Sequence, residues 1–283
     1  MASLMRRLEA TDYLDLVRIG AEQTDRFWKE AVDDIGIEWY EPYTEVRDSS
    51  PGIEWTKWFT GGKLNLVHNC VDKHVRDRPG QVALVSEYED GATREFTYAE
   101  LDREVCHLAG AMRDLGVGRG DTVGIFLPMI PEVVFSLLAV AKLGAIFIPL
   151  FSGYGPEAIA VRLADAGARL LVTADGFLRR GAVVAMKQTA DAAVALAPSV
   201  QHQLVVRRAG LEVSWVEGRD RWYENAVAGR PDQVQTEVMG SEDVVVDLHV
   251  GHYGQAEGLC PRALRVPGQR GAGHGPLHGF RVG

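Results

Sequence analysis

DTVGIFLPMIPEVVFSLLAVAKLGAIFIPL, residues 121–150, decides the fold class. Its first apolar run, TVGIFL, is too short for a core helix and stops at Pro128, so it predicts a buried strand. Pro131 then sits where a helix takes its first residue, since proline lacks the N–H that this position leaves unpaired anyway. Val134, Leu137, Leu138 and Ala141 recur at helical spacing as one buried stripe, and Gly144 supplies the stop. AIFIPL (145–150) is a second near-continuous apolar strand. Two such strands joined by an amphipathic helix form a parallel pair, with both faces destined for burial.

Working outward, the same alternation repeats. A helix from Pro156 through Ile159 and Leu163 to Gly167 precedes the strand RLLVTA (169–174). A helix near 183–196, the strand HQLVVR (202–207) and a short helix near 220–228 follow. Upstream, VALVSE (82–87) and TREFTY (93–98) flank EDGA, a hairpin with a DG turn. Thr97 and Glu100 form a capping box for a helix whose buried face is Leu101, Val105, Leu108, Met112 and Leu115, ending at Gly116. Residues 11–33 and 66–75 have helical spacing. WYEPYTEVRDSSPGIEWTKWFTGGKLN (39–65) has none, and its aromatics predict an irregular wrap packed on a domain. The expectation is an α/β fold with a mostly parallel sheet and helices on both faces. It divides into an N-terminal helix and wrap (1–65), an α/β domain (66–247) and a disordered tail (248–283). In that tail fall nine of the 31 glycines and four of the eight histidines, without apolar periodicity.

Composition narrows the function. A formal charge of −9 argues against a nucleic-acid binder. Three scattered cysteines, Cys70, Cys106 and Cys260, make no disulfide framework and fit a reducing compartment. No apolar run is long enough to span a membrane, and MASLMRRLEATDYLDL lacks the apolar core of a secretion signal. A cytoplasmic protein is expected.

Several motifs read blandly. GVGRGD (116–121) follows a helix and precedes a strand, the reverse of a dinucleotide fingerprint, so it is a cap and turn. His68 and His74, six apart on a helix, face different ways. His249, His252, Cys260, His274 and His278 fit no established zinc spacing, though a His/Cys metal site there is one reading. Arg179, Arg180 and Lys187 follow a strand end, as a solvated basic patch or as a phosphate-binding cluster.

The ordered segments resemble the N-terminal portion of the AMP-forming acyl-CoA synthetases, in particular the acetyl-CoA synthetase branch. WFTGGKLNLVHNCVDKHV (58–75), FTYAEL (96–101), AKLGAIFIPL (141–150) and FSGYGPEAIAVRLADAGARLLVTADGFLRRG (151–181) carry the resemblance, which spans about residues 20–246. After a segment like SEDVVVDL (241–248), that family has the phosphate loop TSGTTGxPKG, whose hydroxyls, amides and lysine cradle ATP phosphates. This chain has HVGHYGQAEG (249–258) there instead. Yet the codons permitted for those ten residues, read one nucleotide later, can encode TSGTTGRPKG. A reading-frame slip between about Val244 and Leu248 is therefore expected, with the tail translated out of frame.

The resemblance implies an acid–CoA ligase using ATP, Mg and CoA on a small carboxylic acid, with acetate or propionate as the family-level guess. From charge and apolar run length, no nucleic-acid or membrane partner is expected. For this chain the resemblance implies no catalytic residue and no metal ligand. It implies at most weak CoA binding through Arg179, with Arg180, Lys187, Phe151, Gly153 and Tyr154 nearby. Adenylation is expected to be absent without the loop. A non-catalytic CoA- or partner-binding module is the alternative, and self-association through an exposed sheet edge is a further expectation.

Overall fold

The computed structural model describes residues 1–88 and 91–247, and the chain opens with three helices, α1 (Ala2–Leu8), α2 (Tyr13–Glu22) and α3 (Thr24–Asp34). The single helix expected over 11–33 is thus divided, because Gln23 leaves helical geometry. Leu8, Leu16 and Ile19 form a small separate core among these helices. The wrap contains β1 (Glu45–Asp48) paired antiparallel with β2 (Lys57–Thr60), then β3 (Lys63–Leu64). Trp39, Tyr43, Phe59 and Trp58 meet ring to ring within it, and Trp58 also meets Trp28 of α3. Residues 68–77 are helical throughout, as a wide π turn (His68–Asp72) followed by α4 (Lys73–Asp77).

β4 (Val82–Glu87) and β5 (Thr93–Thr97) pair antiparallel as expected, although residues 89–90 of the turn lie outside the described residues. The capping box at the start of α5 (Tyr98–Asp114) is complete. Thr97 Oγ1 accepts from the Glu100 amide, and the Glu100 carboxylate accepts from the Thr97 amide at 2.8 Å. GVGRGD is a turn, with Gly116 and Gly120 at φ 80° and the Gly118 amide donating to Asp121 at 2.9 Å.

The remaining elements build the sheet. They are β6 (Thr122–Ile125), α6 (Pro131–Lys142), β7 (Ile146–Pro149), α7 (Pro156–Asp165), β8 (Leu170–Ala174), β9 (Gly176–Arg179), β10 (Ala182–Ala185), α8 (Met186–Ala195), β11 (His202–Val206), β12 (Asp220–Trp222) and α9 (Tyr223–Val227). Five strands lie parallel in the order β12-β11-β8-β6-β7. All five residues of β8 are buried, and successive strand residues point to opposite faces, so both faces of the sheet are covered. One face contact is especially close. A Cβ placed on Gly124 of β6 would lie 2.5 Å from Leu163 of α7 and 3.0 Å from Leu171 of β8.

Two further elements differ from the sequence reading. The segment 176–185, expected to be partly helical, is the hairpin β9–β10, because Arg180 (φ 52°) and Gly181 (φ 75°) form a two-residue turn with both φ positive. The short helix near 220–228 is preceded by an unexpected edge strand, β12. Beyond β7, Val246 bridges Phe147 in parallel, after β13 (Met239–Gly240) pairs with β3.

Candidate functional site at the carboxyl ends of the strands

Numbering the five parallel strands by chain order gives 2-1-3-4-5. The connections therefore leave β6 and β8 in opposite directions, and the crevice at their carboxyl ends is where such sheets take ligands. Two segments meet there. The turn after β7 carries Phe151 and Tyr154, whose rings stand edge to face 5.4 Å apart. Phe151 is 70% exposed. The hairpin after β8 carries Arg179 and, at its tip, Arg180, both exposed. A Cβ built on Gly153 would lie 4.0 Å from Arg179 Nη1, so the guanidinium passes directly over the turn. Arg162 of α7 adds a second guanidinium, 4.6 Å from the Tyr154 ring centre and anchored to the Ala158 carbonyl at 2.7 Å.

Arg179 makes no side-chain hydrogen bond or ion pair among the described residues. An unpaired guanidinium beside an exposed aromatic turn offers phosphate pairing and a stacking face in one place.

What fixes this arrangement is Asp175, which the sequence reading missed. Its side chain ends β8, is 1% exposed, and accepts four backbone N–H groups. They come from Gly176 at 2.7 Å, Arg208 at 2.8 Å, Ala209 at 2.9 Å and Leu211 at 3.0 Å. Burial acts to raise its pKa, but the four donors outweigh burial and hold the carboxyl below the usual aspartate value. The carboxylate thereby ties the root of the β9–β10 hairpin to the loop after β11. The signal was present in TADG: an acid closing a buried apolar strand directly before glycine.

Lys187 corrects the sequence expectation. It is 0% exposed in α8, where Nζ donates to Asp191 at 2.6 Å, to Asp220 at 2.9 Å and to the Ser214 carbonyl at 3.3 Å. Asp220 is likewise fully buried and also takes Arg219. Lys187 thus neutralises an internal carboxylate pair and does not face the crevice.

The histidine readings resolve separately. His68 Nε2 meets Glu38 at 2.9 Å, while His74 meets Arg78 and the Tyr98 ring. Among the described residues no group of three or more His, Cys, Asp or Glu is arranged to hold a metal. His249, His252, Cys260, His274 and His278, with the whole of HVGHYGQAEG, lie outside the described residues. No helix among the described residues is long and apolar enough to cross a membrane.

The AMP-binding enzyme family model matches residues 71–246, and the acetyl-coenzyme A synthetase N-terminus model matches 13–70. The chain belongs to the AMP-binding enzyme family. Acetyl-coenzyme A synthetase 2 of Pseudomonas putida is 39% identical over 254 residues, covering 89% of this chain and 39% of that protein. The acetyl-coenzyme A synthetase of Mycolicibacterium smegmatis is 44% identical over 213 residues, covering 75% of this chain and 22% of that protein. The solved structure of acetoacetyl-CoA synthetase from Streptomyces lividans superposes with a TM-score of 0.75 at 25% identity, covering 86% of this chain and 38% of that one. This member of the AMP-binding enzyme family therefore spans about two fifths or less of the length of these relatives.

Proposed function

We propose that this chain is the N-terminal portion of an AMP-forming acid–CoA ligase for a short-chain acid, and that its crevice receives the nucleotide end of CoA. The observation that carries this reading is Arg179, unpaired among the described residues and lying over Gly153 between the Phe151–Tyr154 turn and the hairpin. In the reaction implied, a carboxylate oxygen attacks the α-phosphorus of ATP and pyrophosphate leaves. The CoA sulfur then attacks the acyl carbon and AMP leaves. The part assigned to this chain's residues is binding. Arg179 pairs with a CoA phosphate, Arg180 adds positive charge at the hairpin tip, and Phe151 and Tyr154 supply aromatic surface. Mg assists such reactions by neutralising phosphate charge. The described residues hold no donor cluster for it, and no step is derived through it.

Adenylation needs a loop that cradles the ATP phosphates, and HVGHYGQAEG supplies neither the hydroxyl pattern nor the lysine of TSGTTGRPKG. The 283-residue chain is accordingly assigned CoA binding without adenylation, and the cytoplasm as its location. Calorimetry with CoA and with pantetheine, which has no phosphate, tests the site. CoA should bind weakly and pantetheine not measurably. Arg179→Ala should weaken CoA about tenfold, near 1.4 kcal/mol. Equal binding of CoA by the wild type and Arg179→Ala would remove this reading.

A further inference from the structure

Two guanidiniums approach the turn after β7, and they meet it on different terms. Arg179 is exposed and comes to Gly153 from the hairpin. Arg162 is half-buried and comes from α7, nearly two helical turns past Pro156. Side chains on a helix lean toward its N-terminus, so Arg162 reaches back over the start of α7 to Tyr154, which precedes the helix. Its guanidinium makes two contacts there. Cζ lies 4.6 Å from the centre of the Tyr154 ring, and Nη1 donates to the Ala158 carbonyl at 2.7 Å.

The turn is a closed unit. The Tyr154 amide donates to the Phe151 carbonyl at 2.9 Å, which closes the four residues Phe151 to Tyr154. The Tyr154 ring packs against the main core, and the Phe151 ring stands on it edge to face, with the two planes at 82°. Phe151 remains 70% exposed, so Tyr154 is its ring neighbour and its support. An exposed phenyl ring keeps a fixed orientation only while the ring beneath it is fixed. Gly155 alone separates the turn from α7, and Arg162 grips Tyr154 from the helix side. Support thus runs from α7 through Arg162 and Tyr154 to the exposed face of Phe151.

We propose that Arg162 is a positioning residue of the crevice: acting through Tyr154, it holds the Phe151 ring as a standing face for the base of the nucleotide. Arg179 takes a phosphate, and Arg162 touches no part of the ligand. The inference rests on the CoA reading of the crevice and divides its two arginines by role. A cation over an aromatic face at a partly exposed site changes binding about two- to fivefold. That is the size of loss expected when Arg162 no longer steadies the ring.

The experiment is a double-mutant cycle on the full 283-residue chain, with CoA affinity read by calorimetry well below the melting temperature. Arg162→Ala and Tyr154→Leu should each weaken CoA about two- to fivefold. The double variant should bind no more weakly than Tyr154→Leu alone, because without the ring Arg162 has nothing to hold. Tyr154→Phe keeps the ring and should stay sensitive to Arg162→Ala. Arg162→Lys should restore affinity to within about twofold, since an ammonium also stacks on the ring. Salt separates the two arginines. Arg179→Ala should flatten the salt dependence of CoA binding, whereas Arg162→Ala should leave it as in the wild type. If circular dichroism finds Arg162→Ala unfolded, Arg162→Gln takes its place, keeping the stem and losing the charge. Losses that multiply in the double variant would mean that Arg162 meets the ligand itself, and they overturn the proposal. CoA that binds the wild type and Arg162→Ala equally removes the positioning role alone. CoA that fails to bind the wild type removes the crevice reading and this inference with it.

Discussion

Asp175 shows how one residue can organise a site that it does not enter. Its carboxylate joins the hairpin bearing Arg179 to the loop after β11, and each of its four acceptor contacts relieves a backbone donor that the turn would otherwise strand. Asp175→Asn keeps the shape but presents an amide group to the Leu211 N–H and removes the charge. It should cost about 2 kcal/mol at neutral pH. The pH dependence follows from linkage. The folded pKa lies below the unfolded value of about 3.9, so the stabilisation is complete above that value and is lost as pH falls through the folded pKa. Melting temperatures of the wild type and Asp175→Asn should therefore differ by a constant gap from pH 7 to about pH 5, and the gap should close in more acidic buffer. A gap that does not narrow at all as the buffer is made progressively more acidic would mean the effect is steric. Lys187 teaches the opposite lesson about legibility. Its position in a basic cluster was readable, but its partners Asp191 and Asp220 are 4 and 33 residues away, and only the fold brings the second one to it.

At the scale of elements, legibility followed burial. β6, β7, β8 and β11 are near-continuous apolar runs because both faces of a central parallel strand are covered, and each was readable from the chain. The capping box of α5 was readable because its chemistry is local. β12 has only three residues, Asp220–Trp222, and two of them are charged, so it carries no apolar signature. The β9–β10 hairpin turns on Arg180-Gly181, which lacks the usual Asn or Asp, and its strands are largely exposed. The packing of α7 on β6 was also hidden, since Gly124 resembles any strand glycine until Leu163 is seen above it. Gly124→Ala should push a methyl into Leu163 and Leu171 and cost about 2 kcal/mol. Urea denaturation checks this: the midpoint should fall with an unchanged slope, and a second substitution, Leu163→Val, should recover part of the loss by making room. Unchanged stability in Gly124→Ala would show that α7 is not held tightly against the sheet.

For the whole molecule, the family match ends at residue 246, just ahead of HVGHYGQAEG at 249–258. The fold up to this point obeys one plan: wrap, capped helix and parallel strands agree in sequence, register and burial. Such agreement across levels is the mark of a chain that specifies its structure. The segment after Asp247 breaks that plan in composition as well as in motif, whereas the codons permitted for HVGHYGQAEG, read one nucleotide later, can encode the loop at ten consecutive positions. A frame change of one nucleotide between about codons 244 and 248 should therefore restore TSGTTGRPKG without touching Arg179 or the Phe151–Tyr154 turn. ATP–pyrophosphate exchange with acetate and propionate provides the readout. The 283-residue chain should give no exchange above background. The frame-restored product should exchange, and replacing the lysine of its restored loop by alanine should lower the rate by about two orders of magnitude, as expected when a phosphate-binding charge is lost from a site that works by electrostatic stabilisation. Exchange by the unaltered chain would show that HVGHYGQAEG, or another part of the molecule, can hold ATP phosphates after all. A gene whose shifted frame does not encode the loop would remove the frame-slip explanation and leave the proposed CoA crevice untouched.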